Sequence, residues 1–151
     1  MEKIEISIAE VADIEALADL LFILFTQEAD FEPDRQNQIN GLQILIEDPD
    51  KGFVLSAKEN GKIVGMVNVL KVVSTAEGGE VGILEDMIVS PSHRGLGIGT
   101  SLLTAAIDRA KTENLKRITL LTDLSNQRAI DFYQRSGFIQ SAMIPLRLYL
   151  D

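Results

Sequence analysis

A chain of 151 residues, 46% hydrophobic and 25% charged, is long enough to bury one full core and has the balance of a globular protein. Without cysteine it can build no disulfide, no thiolate metal site and no cysteine nucleophile, and its single histidine, His93, cannot hold a metal alone. The net charge of −9 argues against nucleic acid as a partner, because a phosphate backbone would be repelled.

The charge is unevenly spread. The first 50 residues hold 13 acidic side chains against two basic ones, Lys3 and Arg35, and the rest of the chain holds 10 acidic against 12 basic. An acidic front third and a near-neutral remainder suit two faces, the second able to accept an anionic ligand. No apolar run approaches the roughly 18 residues of a membrane helix, and the first residues lack a basic segment followed by an apolar one. One cytoplasmic domain over 1–151, with no membrane contact, is the expectation.

Ile4, Ile6 and Ile8 alternate with polar residues and predict a half-buried strand. Ile14, Leu17, Ala18, Leu21 and Phe25 fall on one stripe of a helix from Val11 to Phe25. Thr26 to Asn37, acidic and interrupted by Pro33, reads as a loop. A second helix is predicted from Gln38 to Glu47, ending before Pro49. Phe53–Lys58 and Ile63–Val73 then flank Glu59-Asn60-Gly61-Lys62, and Asn-Gly between two apolar runs is a strong hairpin signal. Ser74 to Glu80 is a polar connection.

Ile83 to Leu103 organises the rest. Leu84–Val89 is an apolar strand carrying Glu85 and Asp86. Ser90-Pro91-Ser92-His93 breaks it, and Gly95, Gly97 and Gly99 form a bare loop. Helical spacing follows through Ile98, Leu102, Leu103, Ala106 and Ala110 to about Glu113, with Asn114 closing that helix. Strand, glycine loop and helix make an anion cradle, since unpaired N–H groups and the helix dipole both favour negative charge. A dinucleotide fingerprint would need glycine where Thr100 stands, and a P-loop would need Gly-Lys-Ser/Thr, which is missing. Arg117–Thr122 is a strand and Asp123–Asn126 a capped turn. A helix carrying Ala129, Phe132 and Tyr133 ends at Gly137, and Phe138–Met143 and Leu146–Leu150 are two last strands around Pro145.

Two motifs in this order resemble a known family. Arg94, Gly97 and Gly99 form Arg-x-x-Gly-x-Gly after an apolar strand, similar to the coenzyme A loop of the GNAT N-acetyltransferases. Asn126, Ala129, Phe132-Tyr133 and Gly137-Phe138 resemble that family's second signature. The resemblance implies an α/β single-domain GNAT fold. Its central β-sheet is mixed, with helices on both faces, in the order β-α-α-β-β-β-α-β-α-β-β. It implies acetyl-CoA as cosubstrate, no metal, and acetyl transfer to a primary amine by direct attack in a ternary complex.

By the same resemblance, Leu84–Val89 and Arg117–Thr122 splay apart around the acetyl donor. Backbone groups of Met87, Ile88 and Val89 would pair with the pantetheine arm. Arg94, Gly95, Leu96, Gly97, Ile98, Gly99 and Thr100 would cradle the pyrophosphate, and Asn126 would bond the cofactor farther along. Tyr133 would protonate the leaving thiolate, although on its own it also reads as a core aromatic. Some family members place a glutamate where Leu121 stands, so the base falls to Glu85, working through water. Alternation would send Glu85 and Asp86 to opposite faces. Asp123 is a further option, and His93 reads as a solvent-facing loop residue. The acidic segment holding Glu28, Phe31 and Glu32 would form the acceptor wall and favour a small cationic amine, a protein amine or a non-catalytic CoA-binding role being the alternatives. Leu146–Leu150 could finish the sheet or pair across a homodimer.

Overall fold

The computed structural model describes residues 3–28 and 32–150. Its elements are β1 (Ile4–Ile8), α1 (Ile14–Gln27), α2 (Arg35–Glu47), β2 (Gly52–Glu59), β3 (Lys62–Ser74), β4 (Gly79–Val89), α3 (Ile98–Thr112), β5 (Ile118–Leu120) and α4 (Gln127–Arg135). The chain forms two compact units, Met1–Leu121 with the sheet and Thr122–Asp151 with α4.

The sheet has the strand order β1-β2-β3-β4-β5. Its first three pairings are antiparallel and β4–β5 is parallel, so it is mixed. The β2–β3 hairpin closes on Asn60 (φ 51°) and Gly61 (φ 75°), the two positive φ values that the Asn-Gly pair supplies at least cost. Helices cover both faces. Leu17, Ala18, Leu21 and Leu42 of α1 and α2 pack against Val54, Met66 and Ile88. On the opposite face α3 brings Ile98 and Leu102 onto Gly65, where an added Cβ would lie 2.9 Å from Leu102 Cδ1.

The starts of α2 and of α3 differ from the sequence pattern. The α2 helix begins at Arg35, three residues before the predicted start, because Asp34 caps it. The Asp34 carboxylate accepts from Asn37 N–H at 3.1 Å while Gln38 Oε1 accepts from Asp34 N–H at 3.1 Å. Arg35 then reaches Glu15 and Asp19 of α1 at 2.6 Å each, tying the two helices together at the surface. Gly99 lies inside α3, so the bare loop is shorter than expected.

The last two predicted strands are absent. Residues 138–150 hold no strand, and Ile139, Met143, Ile144, Leu146, Leu148 and Leu150 are exposed. Alternation makes a segment able to join a sheet, but a strand exists only where a neighbouring edge takes its hydrogen bonds. Here Pro145 removes one donor and Met143 N–H is given to Ser141 Oγ at 3.0 Å.

Gly52 opens β2 with φ 151°, and a Cβ there would stand 2.2 Å from the Val69 carbonyl oxygen. Gly52→Ala is expected to lower the unfolding free energy by about 2 kcal/mol or more, read by chemical denaturation, because the clash is with backbone that cannot step aside.

Candidate functional site

The site is built on an asymmetry of β4. On one side β4 pairs with β3 from Ser74↔Gly79 to Gly65↔Val89. On the other it pairs with β5 only from Gly82↔Ile118 to Leu84↔Leu120. Beyond Leu84, residues 85–89 therefore have no strand of the first unit on that side. The β4–β5 pairing thus ends at Leu84↔Leu120.

At the same point β4 gains a residue. Asn68 pairs with Asp86 and Val69 with Leu84, leaving Glu85 as the extra residue of a β-bulge. Ser90 N–H donates to the Val64 carbonyl at 2.7 Å. Hydrogen-bonding direction alternates along an antiparallel pair, so Ser90, Ile88 and Asp86 turn their main chain to β3. Met87 and Val89 turn theirs to the open side. Of the three residues expected to meet a pantetheine arm, Met87 and Val89 thus offer main-chain groups there and Ile88 does not.

The bulge also changes the phase of β4 around the two carboxylates. Leu84 shares the α3 face with Val69, whereas Asp86, two residues on, shares the α1–α2 face with Ile88. Simple alternation therefore fails between them. Glu85 is exposed, while Asp86 is 7% exposed and Asn68, opposite it, 3%. Asn68 Nδ2 donates to Asp86 Oδ2 at 2.9 Å, and Asp86 N–H donates to Asn68 Oδ1 at 2.8 Å. Burial pushes the Asp86 carboxyl up to about 6, the Asn68 hydrogen bond opposes this, and the Glu85 charge adds to it. Asn68 was missed in the sequence, although one amide inside the apolar run Ile63–Val73 is the signal that marks it.

Downstream, Pro91–His93 forms a single 3-10 turn and the loop reaches α3 through Gly95 (φ 78°) and Gly97 (φ 83°). These left-handed conformations favour glycine, and an added Cβ at either position would meet no atom within 4 Å, so backbone conformation and not crowding selects glycine here. Gly97 caps α3, whose first internal bond runs from Ser101 N–H to Gly97 O at 3.1 Å. The N–H groups of Ile98, Gly99 and Thr100 consequently have no acceptor inside the helix and sit at its positive end. That donor set fits a pyrophosphate. Leu96 is exposed on the loop, and Arg94 Nε donates to the Val89 carbonyl at 3.4 Å. His93 does not point freely to solvent. Its Nε2 lies 3.2 Å from Glu59 Oε1 and its Nδ1 3.0 Å from Ser92 Oγ.

One continuous stretch, 85–100, thus brings together Glu85, the β4 edge and the anion loop. Glu28 and Glu32 lie on either side of residues 29–31, and Phe31 falls outside the described residues. In the second unit, Asn126 caps α4 by accepting from Ala129 N–H at 3.1 Å. Tyr133 is partly buried, edge-on to Phe132 and Phe138 with ring centroids 5.1 and 5.7 Å apart. Among the described residues no group of three or more His, Asp or Glu could hold a metal, and no helix is long and apolar enough to cross a membrane.

Residues 14–138 match the acetyltransferase (GNAT) family. The chain is 31% identical over 133 residues to an uncharacterized N-acetyltransferase of Bacillus subtilis, YhfO, covering 86% of each. It is 27% identical over 141 residues to the aminoalkylphosphonate N-acetyltransferase of Salmonella typhimurium, covering 93% of this chain and 88% of the relative. The crystal structure of a possible acetyltransferase from Clostridium difficile shares the fold, with a TM-score of 0.87 over 99% of both chains at 20% identity.

Burial of Asp86 sets a pH dependence of stability. Its carboxyl holds a proton to about pH 6 when folded, against an ordinary value of 3.8. The folded state therefore binds the proton more tightly, and stability falls as pH rises between these values. Asp86→Asn is expected to be more stable than the parent by about 1–3 kcal/mol at pH 7.5, from a shift of roughly two units. The gain should vanish near pH 4, as checked by denaturation at both pH values.

Proposed function

The chain belongs to the acetyltransferase (GNAT) family, an acetyl-CoA-dependent N-acetyltransferase, and from that membership we propose that its acceptor is the primary amine of a small cationic molecule. Transfer is by direct attack in a ternary complex. The observation that carries this reading is the open β4 edge, which runs within ten residues from its last β5 pairing at Leu84 into the glycine loop that opens α3.

An edge that offers the main chain of Met87 and Val89 suits the amides of a pantetheine arm, laid down like an added strand. The loop donors from Gly95 to Thr100, with Arg94 beside them, suit the pyrophosphate, and Asn126 a contact farther along the cofactor. The thioester carbonyl develops negative charge on attack, and the Met87 N–H is the fixed donor for it. An alkylamine is protonated at neutral pH and must lose that proton to attack. Glu85, exposed at the bulge where the splay begins, takes it through water. The amine nitrogen bonds the carbonyl carbon, the carbon–sulfur bond breaks, and the departing thiolate receives the Tyr133 phenolic proton; the acylated nitrogen sheds its remaining extra proton, which returns through water to the Tyr133 phenolate.

The acceptor reading rests on charge. The front third of the chain is acidic, with 13 acidic side chains against Lys3 and Arg35. Glu28 and Glu32 then form an acidic rim that would concentrate and orient a cation. The Salmonella relative is named for aminoalkylphosphonates, small acceptors rather than proteins.

An acetyl-CoA-dependent screen of polyamines, amino sugars, aminoalkylphosphonates and lysine peptides tests the proposal. Polyamines or amino sugars are expected to give the highest kcat/KM, and a strong preference for peptides or for the phosphonates would overturn the acceptor class. With the best acceptor, Tyr133→Phe and Glu85→Gln are each expected to lower kcat by about 10²-fold, the usual scale for one proton-transfer group. Full single-turnover activity in Tyr133→Phe would remove it as the acid.

A further inference from the structure

We propose that Asn68 is a positioning residue for acetyl transfer, holding the main-chain N–H and the carboxylate of Asp86 so that the β4 bulge keeps the Met87 amide turned to the open edge. The proposal rests on the reading of that edge as the pantetheine and carbonyl site.

The residues of β3 that exchange hydrogen bonds with β4 include Val64, and by alternation Met66 and Asn68. In an unbulged ladder continuing from Val69↔Leu84, their partners would be Val89, Met87 and Glu85. Main-chain groups of Asp86 and Ile88 would then face the open side, and those of Met87 and Val89 would be spent on β3. The one inserted residue exchanges the two sets. Which amides meet a bound thioester therefore depends on a single register choice.

Nothing in the apolar pattern of β3 or β4 selects that register, since Val, Ile, Met and Leu occur on both faces. The Asn68–Asp86 pair does select it. Both side chains are buried, at 3% and 7% exposure, and each is bonded to the other residue, at 2.9 and 2.8 Å. In the unbulged register Asn68 would stand opposite Glu85, and Asp86 would lose its amide partner. A buried carboxylate without a partner is costly enough to disfavour that slip. Asn68 also lies one strand away from the open edge, so its influence runs through β4 and not through contact with the reacting atoms.

The test uses the full chain with the best acceptor from the amine screen. Asn68→Ala is expected to lower kcat at least tenfold while the acetyl-CoA Kd changes less than about threefold, because a carbonyl donor moved by about 1 Å loses rate more than binding. The amides of Met87 and Val89 should shift in NMR spectra and change their hydrogen-exchange protection. The exchanged pair Asn68→Asp with Asp86→Asn rebuilds both bonds, since an aspartate at 68 accepts from the main-chain N–H and side-chain amide at 86. It is expected to return kcat to within about threefold of the parent.

A folded Asn68→Ala protein with parental kcat and unmoved Met87 and Val89 amides overturns the proposal. So does a folded exchanged pair that binds acetyl-CoA without recovering kcat, which would make the Asp86 carboxyl itself the required group. If Asn68→Ala does not fold, Asn68→Ser takes its place with the same readouts. A parent protein that acetylates no amine would remove the functional reading instead, and the amide shifts would still decide the role of Asn68.

Discussion

The break in register between Asn68 and Val69 is the constraint on which the rest of this structure depends. One additional residue in β4 has three consequences at once. It moves Asp86 onto the face covered by α1, it turns Met87 and Val89 away from β3, and it falls where the pairing with β5 ends. A bulge bends and twists a strand locally, and this one falls next to the last β4–β5 pair, Leu84↔Leu120.

The packing of α3 completes the arrangement. Gly65 and Gly82 have no side chain where α3 and its following turn press on the sheet, with Leu102 Cδ1 and Leu115 Cδ1 2.9 and 3.2 Å from where their Cβ atoms would stand. Close approach fixes the height of the helix above β3 and β4. Its first turn is then delivered to the end of β4, where Gly95 and Gly97 supply the backbone conformations that join strand to helix. The chain uses glycine for two physical purposes here, thinness on the sheet and left-handed geometry in the loop. Both serve to aim one set of N–H groups.

What the sequence disclosed and what it withheld divide along physical lines. Local rules were legible. Asn60-Gly61 predicted its hairpin, the stripe Ile98, Leu102, Leu103, Ala106 and Ala110 predicted the buried face of α3, and Gly95 and Gly97 predicted a turn of the backbone into that helix. The early start of α2 was missed because Arg35 and Gln36 add nothing to an apolar stripe, although Asp34 with Gln38 was a readable cap. The bulge was not legible from alternation, because an inserted residue changes the phase of a strand without changing its composition. Only the amide of Asn68 in an apolar run hinted at it. Residues 138–150 failed in the opposite way: the alternation of Leu146–Leu150 is clear, but a strand also needs a partner's hydrogen bonds, a non-local requirement that no short pattern contains.

Asp86 brings stability and function into opposition. A carboxyl group 7% exposed, facing an amide and near the charge of Glu85, is held above its ordinary titration range by burial, so at neutral pH its ionised form is kept at a cost to the fold. A residue with no ionisable group would avoid that cost. An apolar one, however, would leave Asn68 buried with its amide hydrogens unanswered, and the register would lose what distinguishes it from the unbulged alternative. The pair is therefore best understood as a specificity device, in which some stability is given up so that one ladder is strongly preferred over its neighbour. Its position where the β4–β5 pairing ends, one strand away from that edge, is where such a device has the most leverage. Every residue from Asp86 to Ser90 inherits its orientation from that single choice, and the loop that follows inherits its starting point.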